Sequence, residues 1–109
     1  MTILSEKLVG KEVTLVCFGE YVGFIHFGDE VRCRIETEAV IVCENGSEIC
    51  LFPDPAKGAL PLIVGKTVKS VSIDERFRIL FDEGSLIQAA LNVGYESVTL
   101  DIEDQTEFY

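Results

Sequence analysis

Apolar side chains recur along this chain in short runs rich in β-branched and aromatic residues, with no sustained 3.6-residue recurrence. The runs read as strands at 12–18 (EVTLVCF), 21–27 (YVGFIHF), 30–37 (EVRCRIET), 38–44 (EAVIVCE) and 47–52 (SEICLF). They continue at 66–73 (KTVKSVSI), 76–82 (RFRILFD), 85–91 (SLIQAAL) and 95–102 (YESVTLDI). Between them stand Gly19-Glu20, Gly28-Asp29, Asn45-Gly46, Asp74-Glu75, Glu83-Gly84 and Gly94, which suit tight turns. Short strands punctuated this regularly predict an all-β fold, an antiparallel barrel or sandwich. Only 53–64 (PDPAKGALPLIV) breaks the rhythm, and it reads as a linker with room for one helical turn.

Two-residue hairpin loops fix a first set of registers. A Gly28-Asp29 loop places Val22, Phe24 and His26 opposite Ile35, Cys33 and Val31 on the expected core face. Tyr21, Ile25 and Phe27 then share the outer face with Glu36, Arg32 and Glu30. Further on, Phe77, Ile79 and Phe81 are expected inside, with Arg76, Arg78 and Leu80 outside. An Asn45-Gly46 loop aligns Cys43 with Glu48 and Ile41 with Cys50, which makes Cys43 and Cys50 diagonal neighbours.

The segment Gly65-Lys66-Thr67 ends like a phosphate-binding loop, but Leu60 stands where that motif needs its first glycine, and Pro61 removes another backbone donor. It also has a twin. KLVGKEV at 7–13 matches the stretch around Gly65 at an offset of 55, which places Val9, Gly10, Lys11, Val13 and Val16 on Val64, Gly65, Lys66, Val68 and Val71. At the same offset Glu20 falls on Glu75, Val22 on Phe77 and Phe24 on Ile79. A Gly-Lys repeated before each strand is most simply a chain reversal using glycine's access to positive φ. The chain therefore reads as an internal duplication of a hairpin unit, repeat one at about 8–36 and repeat two at about 63–91, within a single domain spanning 1–109. Lys66 is then expected to be replaceable with little effect on stability.

Composition adds charge. Nineteen acidic against nine basic residues give −10, and no Lys or Arg follows Arg78 while Asp82, Glu83, Glu96, Asp101, Glu103, Asp104 and Glu107 do. Such a surface repels phosphate backbones, which argues against direct nucleic-acid binding, and attracts a basic protein. In a meander of the last three predicted strands, Asp101, Glu103 and Asp104 return beside Asp82 and Glu83. Phe108 and Tyr109 follow as apolar anchors. The predicted partner surface is therefore Asp82, Glu83, Asp101, Glu103, Asp104, Glu107, Phe108 and Tyr109. No uncharged apolar run approaches the ~20 residues of a membrane helix, and MTILSEKLVG lacks the plan of an export signal. A cytoplasmic location, no membrane contact and reduced, buried thiols at Cys17, Cys33, Cys43 and Cys50 are expected.

Candidate chemistry is sparse. His26 is the single histidine, and the register above pairs it diagonally with Cys33, a conceivable thiol–imidazole couple. Cys33 is not at a helix N-terminus, no glycine-rich nucleophile turn is present, and one His with four scattered Cys gives no zinc spacing. No catalytic residue, metal or cofactor is expected.

LVGKEV, FRILFDEGSLIQ and GYESVTL resemble segments of a bacterial family of small all-β domains of uncharacterised function associated with toxin loci. Gly10 with Val13, Gly65 with Val68, Phe81 to Gly84, and Tyr95-Glu96 carry the match, while Ser97-Val98 replace that family's small residue and Trp. The resemblance implies an immunity protein that neutralises a cognate toxin, with contact-dependent growth inhibition systems as the setting it suggests. The acidic surface fits a basic nuclease. Two other readings stand beside it: a small-molecule binding barrel using the interior near His26 and Cys33, and a structural module oligomerising through Tyr21, Ile25, Phe27 and Leu80.

Overall fold

The computed structural model describes residues 6–19, 22–53, 62–91, 97–102 and 105–109. Five strands come from the first half of the chain: β1 Val13–Phe18, β2 Gly23–Phe27, β3 Val31–Ile35, β4 Ala39–Val42 and β5 Glu48–Phe52. Five follow: β6 Val68–Ile73, β7 Arg76–Phe81, β8 Leu86–Ala90, β9 Val98–Ile102 and β10 Gln105–Phe108. They form two antiparallel five-stranded sheets, ordered β1-β2-β3-β9-β10 and β5-β4-β8-β7-β6. The expected all-β architecture is present, and it is a sandwich.

Each sheet is a three-strand meander completed by a hairpin from the other half of the chain. The expected meander through the last strands is therefore corrected. β9 does not continue beside β8, whose free side is taken by β4 through Ala39 opposite Ala89 and Ile41 opposite Ile87. Instead Val98, Leu100 and Ile102 of β9 lie opposite Ile35, Cys33 and Val31 of β3. These are the inward positions of both strands, so the exchange seals apolar faces on each sheet.

The twin Gly-Lys segments meet. Glu12 and Thr67 form an antiparallel bridge. Around it Gly10 N–H donates to Val68 O at 2.8 Å and Gly65 N–H to Val13 O at 2.9 Å, while Val13 N–H donates to Lys66 O at 2.8 Å and Val68 N–H to Lys11 O at 2.9 Å. Gly10 and Gly65 adopt φ of 84° and 92°, the left-handed region in which a side chain is strained. Leu8 and Ile63 are buried beside these turns. The segments are thus chain reversals, as read, and they also join one edge of each sheet to the other.

Register recurs between the halves with one shift. Adding 55 to Val13 gives Val68, and both strands carry an irregularity just after that residue. Past the first turn the difference falls to 54, because Gly23, Ile25 and Phe27 take the places of Phe77, Ile79 and Phe81. The alignment of Val22 on Phe77 and Phe24 on Ile79 is off by that residue. The missing side chain at Gly23 is supplied from next door: a Cβ there would lie 1.9 Å from the Phe18 ring. Phe18 in turn packs on Phe52 of the other sheet at 5.8 Å, much as Phe77 packs on Tyr109 at 5.5 Å.

The loops at 28–30, 44–46 and 82–84 hold three residues, not two, and a one-residue slip exchanges the faces of a strand. Phe27 pairs with Val31 across Gly28–Glu30, and Phe81 N–H donates to Ser85 O across Asp82–Gly84. Cys43 N–H donates to Ser47 O across Glu44–Gly46. In β2 and β3 the core side chains are consequently Ile25, Phe27, Val31, Cys33 and Ile35. Phe24 and His26 point outward and Ile25 and Phe27 inward, the reverse of the expectation, whereas Val31, Cys33 and Ile35 face inward and Arg32 outward as read, with Arg34 also outward. Phe77, Ile79 and Phe81 face inward as read. Cys43 lies opposite Ser47 and Cys50 opposite Val40, so they are not the diagonal pair, and all four cysteines are free.

The C-terminal residues extend the sheet. β10 runs beside β9 with Thr106 opposite Asp101 and Phe108 opposite Thr99. Tyr109 N–H donates to Val98 O at 2.8 Å and Tyr109 O accepts from Ser97 N–H at 2.7 Å.

Candidate partner-binding surfaces

The predicted partner surface is divided between the two sheets. Asp82 and Glu83 occupy the exposed β7–β8 turn of one sheet. Ser85 supplies both its backbone N–H, at 2.9 Å, and its hydroxyl to Glu83 Oε1. Lys66 Nζ lies 3.3 Å from the same carboxylate and donates to Ser85 Oγ at 2.8 Å. The Ser85 hydroxyl holds the Glu83 carboxyl below its usual range; burial opposes it as the next largest effect, and the Ser85 N–H and then Lys66 help to outweigh that burial. Gly84, at φ 102°, brings this turn against the neighbouring β4–β5 turn, where an added Cβ would lie 3.3 Å from Glu44 Cγ. Asp82, Glu83, Glu44 and, at the start of β5, Glu48 thus gather at one end of this sheet, with Lys66 paired to Glu83.

Asp101 lies in the other sheet. It sits opposite Arg32, one position from the Ile102–Val31 pair that adjoins the exposed Asp29-Glu30 turn. Arg32 Nη2 donates to Asp101 Oδ2 at 3.0 Å, and the Thr106 hydroxyl donates to Oδ1 at 2.8 Å. Burial pushes the Asp101 carboxyl upward, but these hydrogen bonds and the charges of Arg32 and Arg34 outweigh it, and the group stays ionised below its usual range. Glu103 and Asp104 lie outside the described residues. Glu107 is half-buried on β10, Phe108 is 57% exposed, and Tyr109 turns inward against Phe77 instead of serving as an exposed anchor. Acidic groups therefore collect at two turns, Asp29 and Glu30 near Asp101 in one sheet and Asp82 and Glu83 near Glu44 in the other, and the turns flank the Glu12–Thr67 bridge: Gly28 N–H donates to Glu12 O at 2.8 Å and Asp82 N–H to Thr67 O at 3.0 Å.

On the outer face of the first sheet Arg32 was read as outward, but Phe24 and His26 escaped sequence reading because the slipped register turned them inward. Leu15, His26, Arg32, Asp101 and Thr106 form one cross-strand row, and Cys17, Phe24, Arg34, Thr99 and Phe108 the next. The Arg32 guanidinium stands over the Phe24 ring at 5.1 Å. Arg34 Nη2 donates to the Thr99 hydroxyl at 3.4 Å, while its Nε is buried without a hydrogen bond, 4.0 Å from Glu36. Three-residue loop length was the missing signal.

His26 and Cys33 are not a couple. His26 faces outward opposite Arg32, whereas Cys33 is fully buried, its thiol pushed up to about 12 by desolvation and then by the Asp101 charge. A thiol so placed is not a nucleophile at neutral pH. The region expected to hold a small molecule is filled by the core cluster. Nor do Ile25 and Phe27 offer an oligomerising face, because both are buried; Tyr21 lies outside the described residues and Leu80 is half-buried. Of the cysteines expected inside, Cys17 and Cys50 are exposed and Cys43 is half-buried.

Depressions lined by the described residues open at the surface, one of about 520 Å³ beside Cys43, Glu44 and Asn45 and one of about 200 Å³ between Glu38, Val40, Glu48, Arg76, Gln88 and Ala90. Among the described residues no group of three or more His, Cys, Asp or Glu could hold a metal ion, and no helix is long and apolar enough to cross a membrane. No family model, curated protein or solved structure matches the chain. The likeness to the toxin-locus family rests on the quoted segments alone.

Proposed function

We propose that this protein is an immunity protein, a cytoplasmic binder that neutralises a cognate basic toxin, a nuclease domain by preference. It does so by covering the toxin's active site or nucleic-acid groove. The observation that carries the proposal is the acidic end made by Asp82, Glu83 and Glu44, exposed turn tips of which Glu83 alone has an ion pair among the described residues, to Lys66, on a chain of net charge −10. A surface of that sign and shape stands in for the phosphates that a basic groove binds, and it speeds encounter with the groove. Binding then blocks the toxin without any bond being made or broken, so no reaction is assigned to this chain. We read the recurring strand register as the trace of a duplicated hairpin unit.

The test is co-expression with the basic toxin domain encoded beside this protein's gene. Cells carrying the wild-type protein should survive, and the Glu44→Lys/Asp82→Lys variant, folded by circular dichroism, should protect them far less. Equal protection by the variant would show that the acidic end is not the toxin-binding surface. A neighbouring gene with no such domain would remove the immunity reading itself.

A further inference from the structure

Four strands border the two sheets: β1 and β10 in one, β5 and β6 in the other. Exposed edges are pairing sites, and soluble proteins commonly block them with charge. Three of the four follow that rule, with Glu48 in β5, Lys69 in β6 and Glu107 in β10. β1, VTLVCF, carries no charge. Its counterpart sharpens the contrast. At the 55-residue offset Thr14, Leu15 and Cys17 of β1 stand where β6 has Lys69, Ser70 and Ser72, and all six are exposed, Leu15 to 54%.

The backbone of β1 is also turned the right way. Gly19 N–H donates back to Val22 O at 2.9 Å, so by antiparallel alternation Val16 and Phe18 direct their N–H and C=O away from β2. At Val13 the corresponding groups are satisfied by Lys66 and Gly65. Beyond Val13, no strand among the described residues pairs with that side.

We propose that β1 is the dimerisation edge of this protein and pairs antiparallel with β1 of a second copy, merging two five-stranded sheets into one. Charge selects the occupant. Two chains of −10 repel each other over most approaches. The β1 edge is uncharged, and the outer positions beside it are Phe24 and His26, so like molecules meet there with little repulsion. A basic partner has its attraction at the acidic ends and none along β1. Pairing a strand with its own copy sets Val, Thr, Leu, Cys and Phe against one another, side chains well suited to cross-strand contact. The interface is small, so the dimer is expected to be weak, with a Kd on the order of 10 µM. This inference does not depend on the toxin-binding reading.

Sedimentation velocity from about 1 to 200 µM, a range set by that expected affinity, tests it directly. The mass of the wild-type protein should rise toward twice the 12.1 kDa of one chain. Leu15→Lys/Cys17→Ser gives β1 the charge and polarity that β6 carries and leaves Thr14, whose hydroxyl donates to Gly28 O at 3.0 Å, in place. That variant should remain a monomer throughout. Hydrogen exchange on the wild-type protein gives an independent readout, with slower exchange at Val16 and Phe18 as concentration rises. A wild-type mass of one chain at the highest concentration, a variant that still dimerises, or exchange at these two amides unaltered by concentration would each overturn the proposal.

Discussion

The Phe18 ring lies over Gly23, on the ground that a Cβ of residue 23 would occupy at 1.9 Å. One residue supplies the bulk that its cross-strand neighbour lacks, and the ring reaches Phe52 in the opposite sheet. Gly23→Ala should displace the ring and cost about 1–3 kcal/mol, the usual penalty of overpacking. Urea unfolding measures it. In the Phe18→Leu background the same substitution should cost markedly less, since the two residues share one space. Additive costs would show that they do not.

The Gly-Lys turns hold backbone, not phosphate. Gly65→Ala forces a Cβ into φ 92° and should lower stability by about 1–2 kcal/mol. Lys66→Ala removes the Ser85 hydrogen bond and the Glu83 ion pair, a loss of about 0.5–1.5 kcal/mol instead of the negligible effect read from sequence. Neither change should create or abolish nucleotide binding, because calorimetry with ATP should detect none in the wild-type protein. A heat of binding lost in Lys66→Ala would contradict this.

Much of the fold was legible because hydrophobic alternation survives errors in turn geometry. All ten strands except β10 were read within a few residues of their limits, since runs such as VTLVCF and RFRILF leave little choice. β10, QTEF, has too few β-formers to announce itself and depends on pairing with β9. Faces were harder. Asn45-Gly46 suggests a two-residue loop, yet Gly46 at φ 91° closes a three-residue loop with Glu44 and Asn45. For Phe77, Ile79 and Phe81 the apolar pattern overrode the loop and the face was right. In YVGFIHF both faces are apolar, pattern could not arbitrate, and the slip put Phe24 and His26 on the wrong face, while the alternation of VRCRI placed β3 correctly. The exchange of hairpins between sheets has no local signal at all, which is why Asp101 was placed beside Asp82.

Thiol reactivity separates the cysteines. Cys17 and Cys50 are exposed and Cys43 half-buried, whereas the Cys33 thiol is pushed up to about 12. A disulfide reagent near pH 8 should modify Cys17 and Cys50 promptly and Cys33 only after denaturation. Because the folded pKa of Cys33 lies above its unfolded value near 9.0, its contribution to stability is full below pH 9 and is lost as pH rises toward 12. Cys33→Ala should flatten the alkaline part of the stability profile. An unchanged slope between those pH values would count against the buried thiol.

At the acidic limb the sign reverses. Asp101, Glu83 and Asp74 have lowered carboxyl pKa values, so the stability they add is present above the ordinary carboxylate range near 4 and disappears as pH falls through their folded values. Asp101→Asn should cost about 0.5–1.5 kcal/mol at pH 7 and nearly nothing at pH 2. A loss that is equal at both pH values would mean that the Arg32 and Thr106 contacts do not depend on the charge.

The central claim is that the Asp82, Glu83 and Glu44 end meets a basic partner, and the salt dependence of association tests it most directly. Stopped-flow mixing with the cognate toxin domain should give a rate constant that falls by about tenfold or more from low to high ionic strength. The Glu44→Lys/Asp82→Lys variant should associate more slowly at low salt and show a much shallower dependence. Dissociation should change less than association. A wild-type rate indifferent to salt, or a variant that follows the wild-type curve, would contradict the account.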